Sequence, residues 1–334
     1  MPYCKLFKHG CHVHIDSTVA PCCKWTGERM PITDDYHKQF DEWGKQSESE
    51  WLSQCEECRR DEQAGTPSHR QQFNQMPLEG VFYDLKISSL CNLSCRMCWT
   101  ESSSQWVSIV RNNPHLKFAE EQTVINHNTN TSITDIDMVL PIVNDCEILK
   151  FTGGEPMYIP QVKQILEHCV TMGRAKHIDL RLTTNVTQAI DAWWQNIFDQ
   201  FKSVYLTCSI DGIGSRYEYI RGFEFSQIEK NIMALKSLPR VSLGVSCLDM
   251  TLTVGQKSLI ADYWRQLDIN FHFASVYFPK FFSFESLSPR LRKQFGVSFD
   301  HAYSQSQWIK LCEQMAVWDS IRHTDFQTEC SELF

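Results

Sequence analysis

Six strand-like segments recur along the chain from residue 81 onward, separated by stretches in which apolar residues have helical spacing. The strand-like segments are rich in β-branched and aromatic residues. In one of the helical stretches, Val162, Ile165, Leu166 and Cys169 repeat at intervals of three and four, and Gly173 supplies a C-terminal stop. The predicted strands are residues 81–87, 148–152, 178–183, 204–210, 241–248 and 269–276, and further helices are predicted at 189–201, 225–238 and 254–267.

This repeated strand–helix alternation predicts an α/β fold with a parallel sheet covered by helices. Periodicity alone is compatible with an open doubly wound sheet and with a partial barrel. Residues 1–75 do not follow the alternation, although a short hairpin is predicted around Asp16 and Ser17.

Two further segments have a clear pattern. Residues 126–134 are polar and turn-prone, which predicts an exposed loop. Residues 289–334 predict helix with one apolar face, and we expect that face to pack as core. Its members are Trp308, Leu311, Cys312, Met315, Trp318 and Ile321.

The composition is that of a chain with a large apolar core. Of 334 residues, 42% are hydrophobic, and 32 basic residues against 40 acidic ones give a net charge of −8. Such a core excludes global disorder. The excess of acidic residues argues against a nucleic-acid partner, because nucleic acid is bound largely through basic side chains. No run of about 18 apolar residues and no secretory segment is present, so we expect no membrane span.

Fifteen cysteines are the outlying feature of the composition. In a long chain without a secretory signal, clustered cysteines more often bind metal or perform redox chemistry than form disulfides. Seven of them fall into two groups, and the other eight are expected to be small buried apolar residues. Those eight are Cys11, Cys23, Cys146, Cys169, Cys208, Cys247, Cys312 and Cys330.

Cys91, Cys95 and Cys98 follow the first predicted strand with the spacing Cys-x3-Cys-x2-Cys, and we call this segment the three-cysteine loop. Thiolates are soft ligands that suit iron–sulfur clusters and zinc. Three thiolates on one loop hold three corners of a cubane cluster and leave the fourth without a protein ligand, as in an open catalytic metal site. A structural zinc site completed by a His or a distant Cys is the alternative on spacing alone.

Cys4, Cys22, Cys55 and Cys58 form the four-cysteine group, in which Cys55 and Cys58 make a CxxC pair. A CxxC pair puts two thiolates on one turn, and two more thiolates complete a closed site. Cys23 is an alternative to Cys22. On spacing alone, a zinc ion that staples a small domain fits as well as a cluster does.

The three-cysteine loop, in the string CNLSCRMC, resembles the signature of radical S-adenosylmethionine (radical SAM) enzymes. Met97 stands where that family usually has an aromatic residue. Three more segments resemble the family's pattern, in the expected order and at the ends of predicted strands: residues 152–156 (TGGEP), 183–185 (TTN), and 209–212 (SIDG) with 219–222 (YIRG). The resemblance covers residues 81–277 and implies a partial six-stranded (β/α) TIM-like barrel.

The resemblance also implies a cofactor site. Cys91, Cys95 and Cys98 would bind a [4Fe–4S] cluster with S-adenosylmethionine on its open iron. The glycine-rich turn would contact the methionine amino group, and Ser209 and Arg221 would lie near the carboxylate and the ribose, because an Arg fork pairs with a carboxylate. The expected cofactor contacts are Met97, Gly153, Gly154, Glu155, Pro156, Thr184, Asn185, Ser209, Asp211 and Arg221.

Residues 1–75 resemble the twitch or SPASM-type domain of radical SAM proteins, which carries an auxiliary [4Fe–4S] cluster. In the family this domain usually follows the barrel, whereas here the similar segment precedes it. The resemblance implies one auxiliary cluster on the four-cysteine group, with Cys22 preferred to Cys23 because it directly follows Pro21, and with Cys11 as a further alternative. The implied domains are 1–75 (auxiliary cluster), 76–288 (partial barrel) and 289–334 (C-terminal helical segment).

The implied activity is reductive cleavage of S-adenosylmethionine to a 5′-deoxyadenosyl radical, which abstracts a hydrogen atom from a small-molecule or peptide substrate. The auxiliary cluster would accept or relay an electron, giving a net oxidation or cross-link. A flavodoxin- or ferredoxin-like reductant and a reducing cytoplasm are expected. If a thiol quenches the substrate radical, the enzyme is an epimerase, with Cys208 and Cys247 as candidate donors. An electron-transfer protein and a zinc-stapled binding protein are the alternatives without turnover.

Overall fold

The computed structural model describes residues 3–32, 35–123, 132–133, 135–276, 278–297 and 302–334. The loop predicted at 126–134 therefore lies outside the described residues, except for residues 132 and 133. Within these ranges the strands are β1 (Gly10–Val13), β2 (Thr18–Ala20), β3 (Met30–Pro31), β4 (Val81–Leu85), β5 (Cys146–Phe151), β6 (Asp179–Thr184), β7 (Ser203–Ser209), β8 (Val241–Asp249) and β9 (Asn270–Ser275).

The α-helices of the described residues alternate with these strands from β5 onward. None of them combines the length and the hydropathy needed to cross a bilayer. They are α1 (Leu6–His9), α2 (Tyr36–Ser47), α3 (Glu56–Gln63), α4 (His69–Asn74), α5 (Ser104–Asn112), α6 (Pro160–Thr171), α7 (Ala192–Gln200), α8 (Gly214–Arg221), α9 (Phe225–Lys236), α10 (Lys257–Gln266), α11 (Pro289–Gln294), α12 (Gln305–Arg322) and α13 (Phe326–Glu329).

The strands form one nine-stranded sheet in the order β3-β2-β1-β4-β5-β6-β7-β8-β9. All six predicted strands are present as β4 to β9, so the mixed α/β fold class is confirmed. The pairs β4–β5, β5–β6 and β8–β9 are parallel, as strands joined by helical crossovers must be.

The described contacts divide the chain into two compact units, and the first consists of Met1–Ser89, Asn128–Thr183 and Ala192–Tyr205. Within it, the hairpin predicted around Asp16 and Ser17 is confirmed, because β1 pairs antiparallel with β2. Strand β1 also pairs in parallel with β4, with His12 opposite Asp84. The N-terminal segment, which falls outside the strand–helix alternation of the sequence, thus extends the parallel strands of this unit.

The two faces of β5 and β6 differ in character. Successive residues of a strand point to opposite faces. Lys150 and Arg181 occupy one face, are half-buried and lie opposite each other in the ladder. Beside them Asp84 is 1% exposed and accepts from Lys150 Nζ at 3.1 Å. This face therefore carries charge, whereas the other face is fully buried apolar core made by Leu149, Phe151, Leu180 and Leu182.

The second unit consists of Leu90–His127, Thr184–Asp191 and Leu206–Phe334. Its core contains the apolar face predicted for the C-terminal segment, since Leu311, Met315 and Trp318 are fully buried, and that prediction is confirmed. Residues 76–89 belong to the first unit together with the N-terminal segment, and residues 289–334 belong to the second unit together with the three-cysteine loop. The implied domains 1–75, 76–288 and 289–334 stay predictions.

Candidate metal centres

The three-cysteine loop lies in the second unit and is held by its own neighbours in the chain. Cys95 is buried, and Cys91 and Cys98 are half-buried. Ser104 Oγ bonds both the N–H and the carbonyl of Cys91 at 3.2 Å, and Ser103 Oγ donates to the Leu93 carbonyl at 2.6 Å while it caps α5. Helix α5 therefore begins where the loop ends, and its first residues fix the loop's backbone.

Three nitrogen donors point at the sulfurs of this loop. The Leu93 N–H lies 3.4 Å from Cys91 Sγ, and Asn185 Nδ2 lies 3.9 Å from the same sulfur. Arg221 Nη1 lies 3.9 Å from Cys95 Sγ. Such donors stabilise thiolates and tune a bound iron–sulfur cluster, so the donor set suits a metal-bound form of these cysteines.

Burial raises the pKa of the Cys95 and Cys98 thiols. The neighbouring Cys95 and Cys91 raise the pKa of Cys98 further, whereas Arg221 lowers that of Cys95. Cys91 and Cys95 are therefore close enough to influence Cys98, and a metal that binds these thiols has to displace their protons.

Arg221 is oriented by a buried carboxylate. Asp211 has no exposed surface and accepts from Arg221 Nε at 2.8 Å and Nη2 at 2.7 Å, while the Leu248 N–H donates to its other oxygen at 2.6 Å. Two of the three guanidinium nitrogens are thereby committed to Asp211, and the third faces Cys95. Ser209 is half-buried at the end of β7.

The residues after β6 form a second polar contact with the loop. Asn185 donates to Asn92 Oδ1 at 2.9 Å, and Asn92 in turn donates to Thr187 Oγ1 at 2.8 Å. Val186 has φ of +61°, a conformation that β-branched residues rarely adopt, and Asn231 Nδ2 donates to its carbonyl at 2.8 Å. The expected contacts Thr184 and Asn185 thus lie in a constrained turn whose amide reaches Cys91.

Met97 lies between two of the cysteines and is 6% exposed in the apolar core of the second unit. Its neighbour Trp99 makes an edge contact with Phe278, with ring centroids 5.5 Å apart. Met97 is therefore a packing residue of the loop in the contacts described.

The glycine-rich turn lies in the first unit. Gly153 has φ of +110°, and a Cβ there would come within 2.5 Å of the Ser88 carbonyl, which also accepts from the Gly154 N–H at 2.9 Å. The turn requires glycine because it packs on this carbonyl, whereas the sequence suggested a close approach to a ligand. Glu155 and Pro156 are buried, and Glu155 Oε1 accepts from the Met157 N–H at 3.2 Å.

The four-cysteine group also lies in the first unit, and Cys4, Cys22, Cys55 and Cys58 all line one small cavity. Cys4 precedes α1, Cys22 follows β2, and Cys55 and Cys58 lie at the start of α3. Phe7 and Trp25 contact each other edge to face within the same lining, with centroids 5.8 Å apart. The fold thus brings four thiols that are far apart in the sequence to one cavity.

Burial is the largest influence on all four of these thiols. Burial, with a smaller contribution from Cys58, raises the pKa of Cys4 to about 12 and that of Cys55 to about 11. Arg70 opposes this at both thiols. Arg70 is held by Glu62 at 2.6 Å and lines the cavity as a nearby cation.

The structure separates Cys22 from its two alternatives. Cys23 is exposed, does not line the cavity, and lies 3.8 Å from His69 Nε2. Cys11 is buried beside Tyr36 and Asp145, which both influence its pKa, and does not line the cavity. The expectation that Cys23 is a buried apolar residue is wrong, because Cys23 is exposed.

The proposed thiol donors are not accessible. Cys208 and Cys247 are both 0% exposed, as expected for core cysteines, so no substrate can reach either sulfur.

Within the described ranges, no three His, Cys, Asp or Glu side chains converge closely enough for a single metal ion.

No protein-family model matches this chain, and no curated protein matches it. The chain is similar to the solved structure of native anSMEcpe with bound AdoMet, at 18% identity over 72% of this chain and 61% of that one, with a TM-score of 0.44. It is also similar to Streptococcus suis SuiB bound to S-adenosylmethionine, at 13% identity over 86% of this chain and 59% of that one, with a TM-score of 0.43. This chain thus spans less than two thirds of the length of either protein.

Proposed function

We propose that this chain is a radical SAM enzyme. The observation that carries the proposal is the three-cysteine loop, in which nitrogen donors lie at the sulfurs of Cys91 and Cys95, and both of these cysteines raise the pKa of Cys98. The order of the sequence motifs supports it. Strands β4 to β9 then correspond to the six strands of a partial barrel.

Cys91, Cys95 and Cys98 would hold a [4Fe–4S] cluster whose open iron binds S-adenosylmethionine. When bound and reduced, this pair supplies a 5′-deoxyadenosyl radical that abstracts a hydrogen atom from the substrate. Arg221, fixed by Asp211, neutralises charge at Cys95. Burial keeps water from Cys95, whereas Cys91 and Cys98 are half-buried. The glycine-rich turn keeps the role that the resemblance implies, contact with the methionine amino group.

The four-cysteine group would hold one auxiliary [4Fe–4S] cluster, with Cys22 as its fourth ligand. The cavity lined by these cysteines and by Arg70 supports this assignment. A fully ligated cluster suits electron transfer, so we propose a net oxidation or cross-link of a small molecule or peptide. A flavodoxin- or ferredoxin-like protein would be the reductant, in the cytoplasm.

Anaerobic reconstitution tests the two sites separately. We expect about eight irons per chain in the unmodified protein, and release of 5′-deoxyadenosine from S-adenosylmethionine after reduction with dithionite. C95A should abolish that release, whereas C312A, a half-buried cysteine outside both groups, should leave it unchanged.

Cys22 and Cys23 provide a matched pair for the auxiliary site. C22A should lose about four irons and keep nucleoside release, whereas C23A should keep all of its iron. A colourless protein that binds two zinc ions would contradict the proposal. Iron binding without any release of 5′-deoxyadenosine would instead indicate an electron-transfer protein.

The exposure of Cys23 favours a second candidate, an epimerase in which a thiol returns a hydrogen atom to the substrate radical. Cys23 is the exposed cysteine of the chain. In ²H₂O, product from the unmodified enzyme would carry solvent deuterium, and C23A would release 5′-deoxyadenosine without forming epimer. Epimer formed by C23A at the normal rate would exclude this candidate.

A further inference from the structure

Helix α12 (Gln305–Arg322) presents three side chains toward the middle of the three-cysteine loop. Trp318, Asp319 and Arg322 lie within about one helical turn, on the side of the helix that faces residues 94–96. Asp319 and Arg322 each bond a residue of that segment, and Trp318 reaches it through Trp106. The sequence assigned this helix only an apolar packing face.

Asp319 holds Arg96, the residue between the second cysteine and Met97. The Arg96 side chain has no exposed surface, and its Nη2 donates to Asp319 Oδ1 at 3.0 Å. Its Nε donates to the Tyr219 carbonyl at 2.7 Å, and its guanidinium lies 3.8 Å from the centroid of the Tyr219 ring. Arg96 Nη1 has no hydrogen-bond partner, and the ring face below the guanidinium offsets that loss.

Arg322 holds Ser94, the residue before Cys95. Its Nη2 donates to the Ser94 carbonyl and lies 3.3 Å from Ser94 Oγ, and its Nη1 donates to the Tyr219 carbonyl at 3.2 Å. Gly222 leaves room for this side chain, because a Cβ there would lie 2.9 Å from Arg322 Cζ. Gly222, the glycine of the Arg-Gly pair, thus leaves space for a residue one hundred positions further along the chain.

Trp318 acts through a second tryptophan. Its ring meets that of Trp106 edge to face, with centroids 4.8 Å apart. Trp106 has no exposed surface, and its Nε1 donates to the Cys95 carbonyl at 2.8 Å. Three consecutive residues are therefore held by side chains of α12 or by a ring packed on it: Ser94 and Cys95 through their carbonyls, and Arg96 through its side chain.

We propose that Asp319 and Arg322 are positioning residues for the cluster on the three-cysteine loop, and that the charge of Arg322 also raises the reduction potential of that cluster. The inference rests on the proposed function, since it requires a cluster at Cys91, Cys95 and Cys98. A reduced cluster carries one more negative charge than an oxidised one, so a nearby cation favours the reduced form. Arg322 is placed to act in this way, because its guanidinium bonds Ser94, the residue directly before Cys95.

The test compares R322Q, R322K and D319N with R265Q in the full chain after anaerobic reconstitution. Arg265 is a suitable control because it lies on α10 in the same unit, is mostly exposed, and pairs only with Asp262 on its own helix. Two quantities are measured: the midpoint potential of the cluster, by dye-mediated reduction followed by electron paramagnetic resonance, and the rate of iron loss to a chelator. Repeating the titration in a C55A background removes the signal of the auxiliary cluster.

We expect R322Q to shift the midpoint to more negative potential, so that the ratio of reduced to oxidised cluster at a fixed potential falls about tenfold. R322K should restore most of this ratio. D319N should lose iron several-fold faster with little change in midpoint, and R265Q should match the unmodified protein in both measurements.

The inference would be overturned if R322Q and D319N had the same midpoints and iron-loss rates as R265Q. The proposed function would still stand in that case, because the unmodified protein would contain iron. Absence of iron from the unmodified protein would instead reject the proposed function. If R322Q fails to fold, R322K is compared with R265Q instead. An R322K protein that folds and has the midpoint of R265Q supports the inference, whereas one that folds with a midpoint below that of R265Q overturns it.

Discussion

The buried ion pair between Asp211 and Arg221 provides the sharpest test of the electrostatic argument. At 2.7 Å and an effective dielectric constant of about 20, the Coulomb attraction is about 6 kcal/mol. Desolvation offsets most of it, yet removing one partner leaves the other charge buried and unpaired. We therefore expect D211N and R221Q each to lower the free energy of unfolding by about 3–5 kcal/mol.

The double variant D211N/R221Q removes both charges, so its loss should be well below the sum of the single losses, with a coupling of at least about 2 kcal/mol. Urea unfolding of the metal-free protein, followed by tryptophan fluorescence, measures these values. The matched control is the Asp262–Arg265 pair, whose side chains are 60% and 66% exposed and whose coupling should be about 0–0.5 kcal/mol. Equal couplings at the two pairs would refute the reasoning.

Three further predictions concern the first unit. G153A should lower the free energy of unfolding by about 2–4 kcal/mol, because its Cβ would meet a backbone carbonyl at 2.5 Å, whereas G173A, with positive φ but open space, should cost only about 1 kcal/mol in the same urea titration. Burial lowers the pKa of His14 from 6.5 to about 3, so its contribution to stability is complete above pH 6.5 and is lost as pH falls toward 3. Over this range the free energy of unfolding of H14Q should fall by about 2–4 kcal/mol less than that of the unmodified protein. Parallel curves of unfolding free energy against pH would contradict this prediction. Lys150 holds the pKa of Asp84 below its ordinary value, so D84N should be less stable at pH 7, and thermal melts should show the difference narrowing as pH falls below 4.

The alternation of strands and helices could be predicted because it depends on local pattern. The six strands β4 to β9 lie within two residues of their predicted bounds, since each shows its own run of β-branched and aromatic residues. The pairing of β1 with β4 could not be predicted, because nothing in residues 10–13 indicates a partner some seventy positions away. Parallel pairing depends on the whole sheet rather than on either strand.

The candidate centres show the same limit. Spacing predicts Cys91, Cys95 and Cys98 because three ligands on one loop are a local feature, whereas their grouping with Arg221 and Asn185 depends on the fold. The clamp formed by Asp319 and Arg322 was missed because both residues flank an apolar stripe, where charged side chains normally face water. The sequence contains one signal of this contact. Arg96 is a charged residue in a loop without Asp or Glu, so its carboxylate partner has to come from elsewhere in the chain.

The clamp on the three-cysteine loop also orders events during synthesis of the chain. Asp319 leaves the ribosome 223 residues after Arg96, so the loop is translated long before the helix that immobilises it. In the nascent chain, Ser103 and Ser104 can hold the loop soon after it is made, whereas the contacts from Asp319 and Arg322 form only once α12 has been translated. Residues 94–96 would therefore gain their full set of contacts late in synthesis.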